Sequence, residues 1–206
     1  MLLSIHPQNP DERKVRQVAD ILSKGGVAIL PTDTIYALAC DLYQYKAFEQ
    51  ICRIKGVKPE KANFSLLCND LSNIASFTRP FDRSIYKLLN RALPGPYTFI
   101  LEASSEVPSM FRSRKKTIGL RIPDNKIIQE VIQQLGHPLV VTSLHDHDEL
   151  KEYPTDPEEI YEEYQKVIEV VVDGGYGKMS PSTVIDCTGD EPVIVRVGLG
   201  DVSVLQ

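Results

Sequence analysis

Apolar residues recur along the chain in two rhythms, one helical and one of short unbroken runs. Val15, Val18, Ala19 and Leu22 fall at helical spacing and predict a helix with one buried face. Asn9-Pro10 supplies a cap and a first-turn proline for its start, and Gly25-Gly26 ends it. A second helix is expected over Lys46 to Ile54, with Ala47, Ile51 and Ile54 on one face. Ile85, Leu88, Leu89 and Ala92 mark a third, broken by Pro94-Gly95-Pro96. Ile127, Ile128, Val131, Ile132 and Leu135 mark a fourth, ended by Gly136. Asp156-Pro157-Glu158-Glu159 opens an acidic helix, with cap, proline and acids where the helix dipole favours them.

Between these lie runs too short for helices. Val27–Leu30, Phe64–Cys68, Tyr97–Leu101, Ile118–Ile122, Pro138–Ser143, Val167–Val172, Thr183–Cys187 and Val193–Val197 read as strands. Several are apolar throughout, which suits a sheet covered on both faces. Strands and helices alternate without strict βαβ order. The expected fold is therefore α/β of the α+β type: a twisted mixed sheet of about seven or eight strands with flanking helices. Residues 1–206 are expected to form a single domain, with no internal repeat and no low-complexity linker.

Composition narrows the class. Apolar residues make up 42% and charged residues 25%, an ordinary globular balance. No run of 18 apolar residues occurs, so no membrane partner is expected. The start, Met1 to Pro7, is too short and too uncharged for a signal peptide, and a cytoplasmic location is expected. Cys40, Cys52, Cys68 and Cys187 are scattered, without the spacing of a zinc site or a disulfide framework. The net charge of −5 argues against broad nucleic-acid affinity. Positive charge is nevertheless clustered at Arg53, Lys55, Lys58 and Lys61, and again at Arg112, Arg114, Lys115, Lys116 and Arg121. Acid concentrates from Asp146 to Glu163. That asymmetry permits a basic cleft on an acidic protein.

Candidate chemistry begins where the first strand ends. Leu30-Pro31-Thr32-Asp33-Thr34-Ile35-Tyr36-Ala37-Leu38 presents three hydrogen-bonding side chains at a strand end, where small-molecule sites tend to lie. Ile54-Lys55-Gly56-Val57-Lys58-Pro59 closes the second helix with point charges suited to phosphate or carboxylate. Val140-Val141-Thr142-Ser143 ends a strand in two hydroxyls. Ser182-Thr183-Val184-Ile185-Asp186 and Val195-Arg196-Val197-Gly198 follow.

In this order the five segments resemble the YrdC-like family, whose pattern reads P-T-D/E-T-x-Y-G-L, K-G-R-P, T-S-A-N, S-T-V-x-D and R-x-G. The resemblance runs from about Ile5 to Gly200 and implies a YrdC/RibB-like fold. The family's enzymes combine L-threonine, bicarbonate and ATP into threonylcarbamoyl-adenylate and pyrophosphate, for the threonylcarbamoyladenosine of tRNA. By resemblance, Lys55 is the catalytic candidate. Thr34, Tyr36, Arg121 and Ser143 would meet the amino-acid substrate. Lys58, Thr142, His145, Ser182 and Arg196 would meet the nucleotide. ATP enters as a substrate, with Mg²⁺ a candidate companion and no tightly bound cofactor. No protein-held metal is expected. Some bacterial members bind double-stranded RNA, so RNA or tRNA is an alternative partner.

Two signatures are altered. K-x-R becomes Lys55-Gly56-Val57 followed by Lys58, and S-x-N becomes Ser143-Leu144-His145. Lysine does not replace a bidentate arginine, and histidine presents its donor and acceptor with a different geometry. These departures resemble the YciO branch of the family. They leave two readings: a synthase or weak variant, and an RNA- or nucleotide-binding relative without that activity. Two rival motifs are set aside. His145-Asp146-His147-Asp148-Glu149 reads as a solvated polar loop rather than a metal cluster. Gly174-Gly175-Tyr176-Gly177-Lys178 lacks the helix that a phosphate-binding P-loop requires and reads as a turn at the pocket mouth.

Overall fold

The computed structural model describes residues 1–62, 64–111, 116–145 and 152–205. Arg112, Arg114 and Lys115 of the second basic cluster, and Asp146 to Glu149 of the acidic loop, lie outside the described residues.

Ten strands form one mixed sheet among the described residues. They are β1 (Leu2–Ser4), β2 (Ala28–Leu30), β3 (Ala37–Asp41), β4 (Ser65–Leu67), β5 (Tyr97–Glu102), β6 (Thr117–Arg121), β7 (Leu139–Ser143), β8 (Val170–Asp173), β9 (Thr183–Asp186) and β10 (Val193–Arg196). Their order across the sheet is β1-β8-β2-β3-β7-β4-β6-β5-β9-β10. Six α-helices flank it: α1 (Glu12–Ser23), α2 (Tyr45–Ile54), α3 (Leu71–Phe77), α4 (Arg83–Ala92), α5 (Lys126–Leu135) and α6 (Pro157–Tyr164).

The fold class follows the sequence pattern, with two strands and a helix more than the apolar runs announce. β1 has only three residues and pairs in parallel with β8. β3 was hidden in the Thr-Asp-Thr segment because Ala37-Leu38-Ala39-Cys40 contains no β-branched residue. It is buried throughout and pairs antiparallel with β2 on one side and β7 on the other. α3 is capped by Asp70, whose carboxylate accepts from Asn73 N at 2.8 Å.

The start of α1 differs from the expected Asn9-Pro10. Asp11 is the cap, and its carboxylate accepts from Arg13 N at 2.9 Å. A negative cap suits the positive end of the helix dipole. The ends of α5 and α6 match expectation. Gly136 adopts φ +77 after α5, a left-handed turn that favours glycine. Asp156 caps α6 with Pro157 in its first turn.

Two apolar layers pack on the two faces of the sheet. Leu38, Leu66, Phe99, Leu120 and Val140 turn to one face and pack with residues of α2, α4 and α6. Ala28, Leu30, Ala39, Leu139, Val170 and Val172 turn to the other face and pack under α1 and α5. Those two helices cover only the half of their face around β8, β2, β3 and β7. Over the other half, β4, β6, β5 and β9, no helix lies among the described residues, and there the sheet becomes the floor of a cleft.

At the opposite end of β3, His137 Nε2 lies 3.4 Å from Asp41 Oδ2. The hydrogen bond to Asp41 raises the His137 pKa, against the opposing effect of burial. A histidine whose pKa is higher folded than unfolded stabilises the fold fully below the ordinary histidine range. The contribution is lost as pH rises through the raised folded value. A His137→Asn variant is therefore expected to melt furthest below the parent at about pH 5.5 and to approach it at about pH 8. Thermal melts of both proteins across that range check this.

Candidate anion-binding cleft

The cleft holds about 730 Å³, within the range of small-molecule sites. Its floor is made of alternating strand residues: Ser65 and Leu67 of β4, Thr98 and Ile100 of β5, Thr117, Gly119 and Arg121 of β6. Alternation along a strand sends every second side chain to the same face. Gly119 keeps the floor open there: a Cβ would fall 2.5 Å from Ser65 Oγ and 3.2 Å from Thr98 Cγ2, so those side chains would have to move aside.

Arg121 closes one end. It is 7% exposed, and its guanidinium pairs with Asp33 and donates to Thr34 Oγ1 at 2.9 Å. Burial lowers the Arg121 pKa, while the neighbouring Asp33 carboxylate raises it. The Thr-Asp-Thr loop is ordered by its own protons. Thr32 Oγ1 donates to Ile35 O at 2.7 Å and accepts from Thr34 N at 3.0 Å. Its proton thus spent, it can only accept from Thr34 Oγ1 at 3.1 Å. That leaves the Thr34 oxygen to receive Arg121.

Arg196 faces Arg121 from the last strand. It donates from Nε and Nη2 to Ser182 O at 3.1 and 2.7 Å, and from Nη2 to Ser182 Oγ at 3.3 Å. Burial lowers its pKa, and the charge of Arg121 adds to that. Ser182 Oγ lies 2.8 Å from Thr98 Oγ1, so the wall and the floor are joined through hydroxyls. Ser143 donates to His145 O at 2.6 Å. Two arginines and a row of hydroxyls around one cavity form a surface fitted to anionic groups.

The structure brings together five residues expected from the sequence: Arg121, Thr142, Ser143, Ser182 and Arg196 all line the cleft. Thr34 stands behind Arg121 and is almost fully buried. Four stand elsewhere. Lys55 Nζ donates to Leu144 O at 3.2 Å, beyond the end of β7. Lys58 is exposed before the 3-10 turn Pro59–Lys61. His145 is buried and is not part of the cavity wall. Tyr36 is buried behind the loop, donating to Gly175 O at 2.6 Å and accepting from Gly174 N at 3.3 Å. Burial pushes its pKa up to about 12. The Gly174–Lys178 segment thus backs the Thr-Asp-Thr loop, and Lys178 N donates to Thr34 O at 2.8 Å. Tyr36→Phe removes both hydroxyl bonds and is expected to cost about 1–3 kcal/mol. Denaturant unfolding of the variant measures it.

Asp33 and Lys61 were not assigned roles from the sequence. Asp33 holds Arg121, and Lys61 lines the cleft with Glu60. The polar floor had a usable signal. Ser65, Thr98 and Gly119 are small or polar positions inside otherwise apolar strands, which marks a strand face that no helix covers. Among the described residues, no three His, Cys, Asp or Glu side chains gather as metal ligands. None of their helices is long and apolar enough to cross a membrane. The four cysteines are free and buried, and burial raises the pKa of each thiol.

The Sua5/YciO/YrdC family model, described as "Telomere recombination", matches residues 20–198, and the chain belongs to that YrdC/Sua5 family. Within it, the chain falls in the YciO branch. It is 43% identical to the YciO protein of Escherichia coli strain K12 over 96% of this chain and 95% of that one. The crystal structure of E. coli YciO superposes with a TM-score of 0.93, covering 100% of this chain and 99% of that one. A putative threonylcarbamoyl-AMP synthase of Methanocaldococcus jannaschii is 32% identical over 96% of this chain and 93% of its own. The P. abyssi Sua5 structure complexed with L-threonine matches with a TM-score of 0.87 at 25% identity, over 96% of this chain and 57% of that one.

Proposed function

We propose that the cleft binds L-threonine and ATP and makes threonylcarbamoyl-AMP, as the threonylcarbamoyl-AMP synthases do. The observation that carries this reading is the buried Arg121 at one end of a small-molecule cleft, with Arg196 across it. Support comes from the L-threonine complex of P. abyssi Sua5 and from the name of the M. jannaschii relative. In the proposed reaction the threonine amine adds to bicarbonate with loss of water, giving a carbamate. A carbamate oxygen then attacks the α-phosphorus of ATP, and pyrophosphate leaves as the α–β bridge breaks.

Substrate and leaving groups are almost all anions, so the site must gather negative charge in a fixed geometry. Arg121 takes the threonine carboxylate, with Thr34 and Tyr36 supporting its loop. Thr142 and Ser182 donate to substrate and phosphate oxygens, while Ser143, whose proton goes to His145 O, accepts from the substrate amine or hydroxyl. Arg196 lies along the nucleotide, which brings Mg²⁺ with it. Lys55, held at Leu144 O off the cavity wall, supports the chain just after Ser143. ATP and tRNA as partners carry a cytoplasmic location with them. The test is pyrophosphate release by the purified protein. It is expected only when L-threonine, bicarbonate and ATP are all present, and release independent of threonine would overturn the reading.

A second reading has two observations in its favour. Lys58 is exposed and outside the cavity, and His145 stands where the family has asparagine. On this reading the cleft binds a nucleotide or structured RNA without turnover. Retention of double-stranded RNA that weakens steeply with salt, without pyrophosphate release, would favour it.

A further inference from the structure

Among the described residues, two buried side-chain atoms make no hydrogen bond: Asp33 Oδ2 and Arg121 Nε. They belong to the two partners of one ion pair. Arg121 Nη2 serves both Asp33 Oδ1 and Thr34 Oγ1. The pair is therefore held by a single carboxylate oxygen, although guanidinium and carboxylate are shaped for two parallel bonds. Both side chains of the pair are only 9% exposed, so each missing bond is costly. Meanwhile Arg121 also lines the cleft.

From this arrangement we infer that Asp33 is a specificity-determining residue that favours zwitterionic α-amino acids over simple carboxylates at Arg121. The inference rests on the reading of Arg121 as a carboxylate seat. With Asp33 in place the pair is neutral as a unit. A plain carboxylate entering beside it gains the attraction of Arg121 and meets the repulsion of Asp33. An α-amino acid brings an ammonium group on the neighbouring carbon, and that charge offsets Asp33. The same carboxylate therefore binds with less penalty when it arrives with an amine. At separations of a few ångströms such like-charge repulsion is large enough to decide selectivity.

The probes are L-threonine and 3-hydroxybutyrate, which is threonine without its amine, each titrated calorimetrically into the full chain. The parent protein is expected to prefer L-threonine. Asp33→Asn keeps the shape and removes the charge. It is expected to tighten 3-hydroxybutyrate about tenfold or more while leaving L-threonine little changed, so that the preference collapses. Thr34→Val removes the neutral acceptor on Nη2 but not the charge, and is expected to retain the preference. Unchanged discrimination in folded Asp33→Asn, or equal loss in Thr34→Val, overturns the inference.

If the parent binds neither probe, the threonine reading of the site fails. New 3-hydroxybutyrate binding by Asp33→Asn would then still support the role of Asp33, and continued absence would overturn it. If Asp33→Asn does not fold, Asp33→Ser replaces it. The Arg121 Nε–Hε resonance of the parent adds a readout that needs no variant. In parent protein that binds L-threonine it is expected to shift on saturation, and an unmoved resonance there overturns the inference.

Discussion

Arg121→Ala is expected to abolish L-threonine binding in the cleft and to lower stability in the same protein. The two effects share one cause. Arg121 is buried and is the ion-pair partner of Asp33. Removing the guanidinium strands a carboxylate in a site without water access to Oδ2. Breaking a buried pair by removing one partner costs about 3–5 kcal/mol. Arg121→Lys separates the two consequences. It keeps a positive charge near Asp33 and so recovers part of the stability. It lacks the planar fork, so ligand affinity is expected to stay low. Thermal melts and calorimetry on both variants check the pair of expectations. Equal stability of parent and Arg121→Ala would mean that the ion pair contributes nothing.

Gly198→Ala is expected to damage the other end of the cleft. Gly198 is the glycine of the R-x-G segment, and its place is set by a close approach of two backbones. A Cβ at 198 would lie 2.3 Å from Pro181 O and 2.6 Å from the carbonyl carbon and oxygen of Ser182. Those are main-chain atoms and cannot rotate aside. Gly198 N also donates to Thr183 Oγ1 at 3.0 Å, tying the same turn to β9. Relief must come from moving β9 and β10 apart, and overpacking of this kind costs about 1–3 kcal/mol. Ser182 accepts from Arg196, so the movement takes Arg196 out of position. Nucleotide affinity should fall while the Arg121 end still binds L-threonine. Loss of both affinities together would show that the two ends are not independent.

The sequence revealed the fold and part of the site, for reasons visible in particular residues. Val27–Leu30, Tyr97–Leu101 and Pro138–Ser143 are rich in residues that suit buried strands, and they appear as β2, β5 and β7. β3 escaped because alanine and cysteine carry no strand signal, and its strand character comes from pairing on both sides. Ser143, Ser182 and Arg196 fall within the ordered family segments and Arg121 matches a family arginine outside them, and the sheet carries all four to one cavity. Lys55 and Lys58 lie off the cavity wall because the loop after α2 turns at Gly56, with φ +63, before the 3-10 turn. That turn brings Lys61 to the cleft instead. Asp33 was passed over because an Asp between two threonines also fits an ordinary turn. Its role depends on Arg121, which is 88 residues away in the chain.

On the proposed reading, one cleft receives both an amino acid and a nucleotide. Calorimetric titration of ATP into the purified protein, with and without L-threonine and bicarbonate, tests it most directly. ATP is expected to bind, and L-threonine with bicarbonate to strengthen that binding, as two ligands at adjoining ends of one site would. Absence of ATP binding under every condition, in protein that melts as a folded chain, would contradict it.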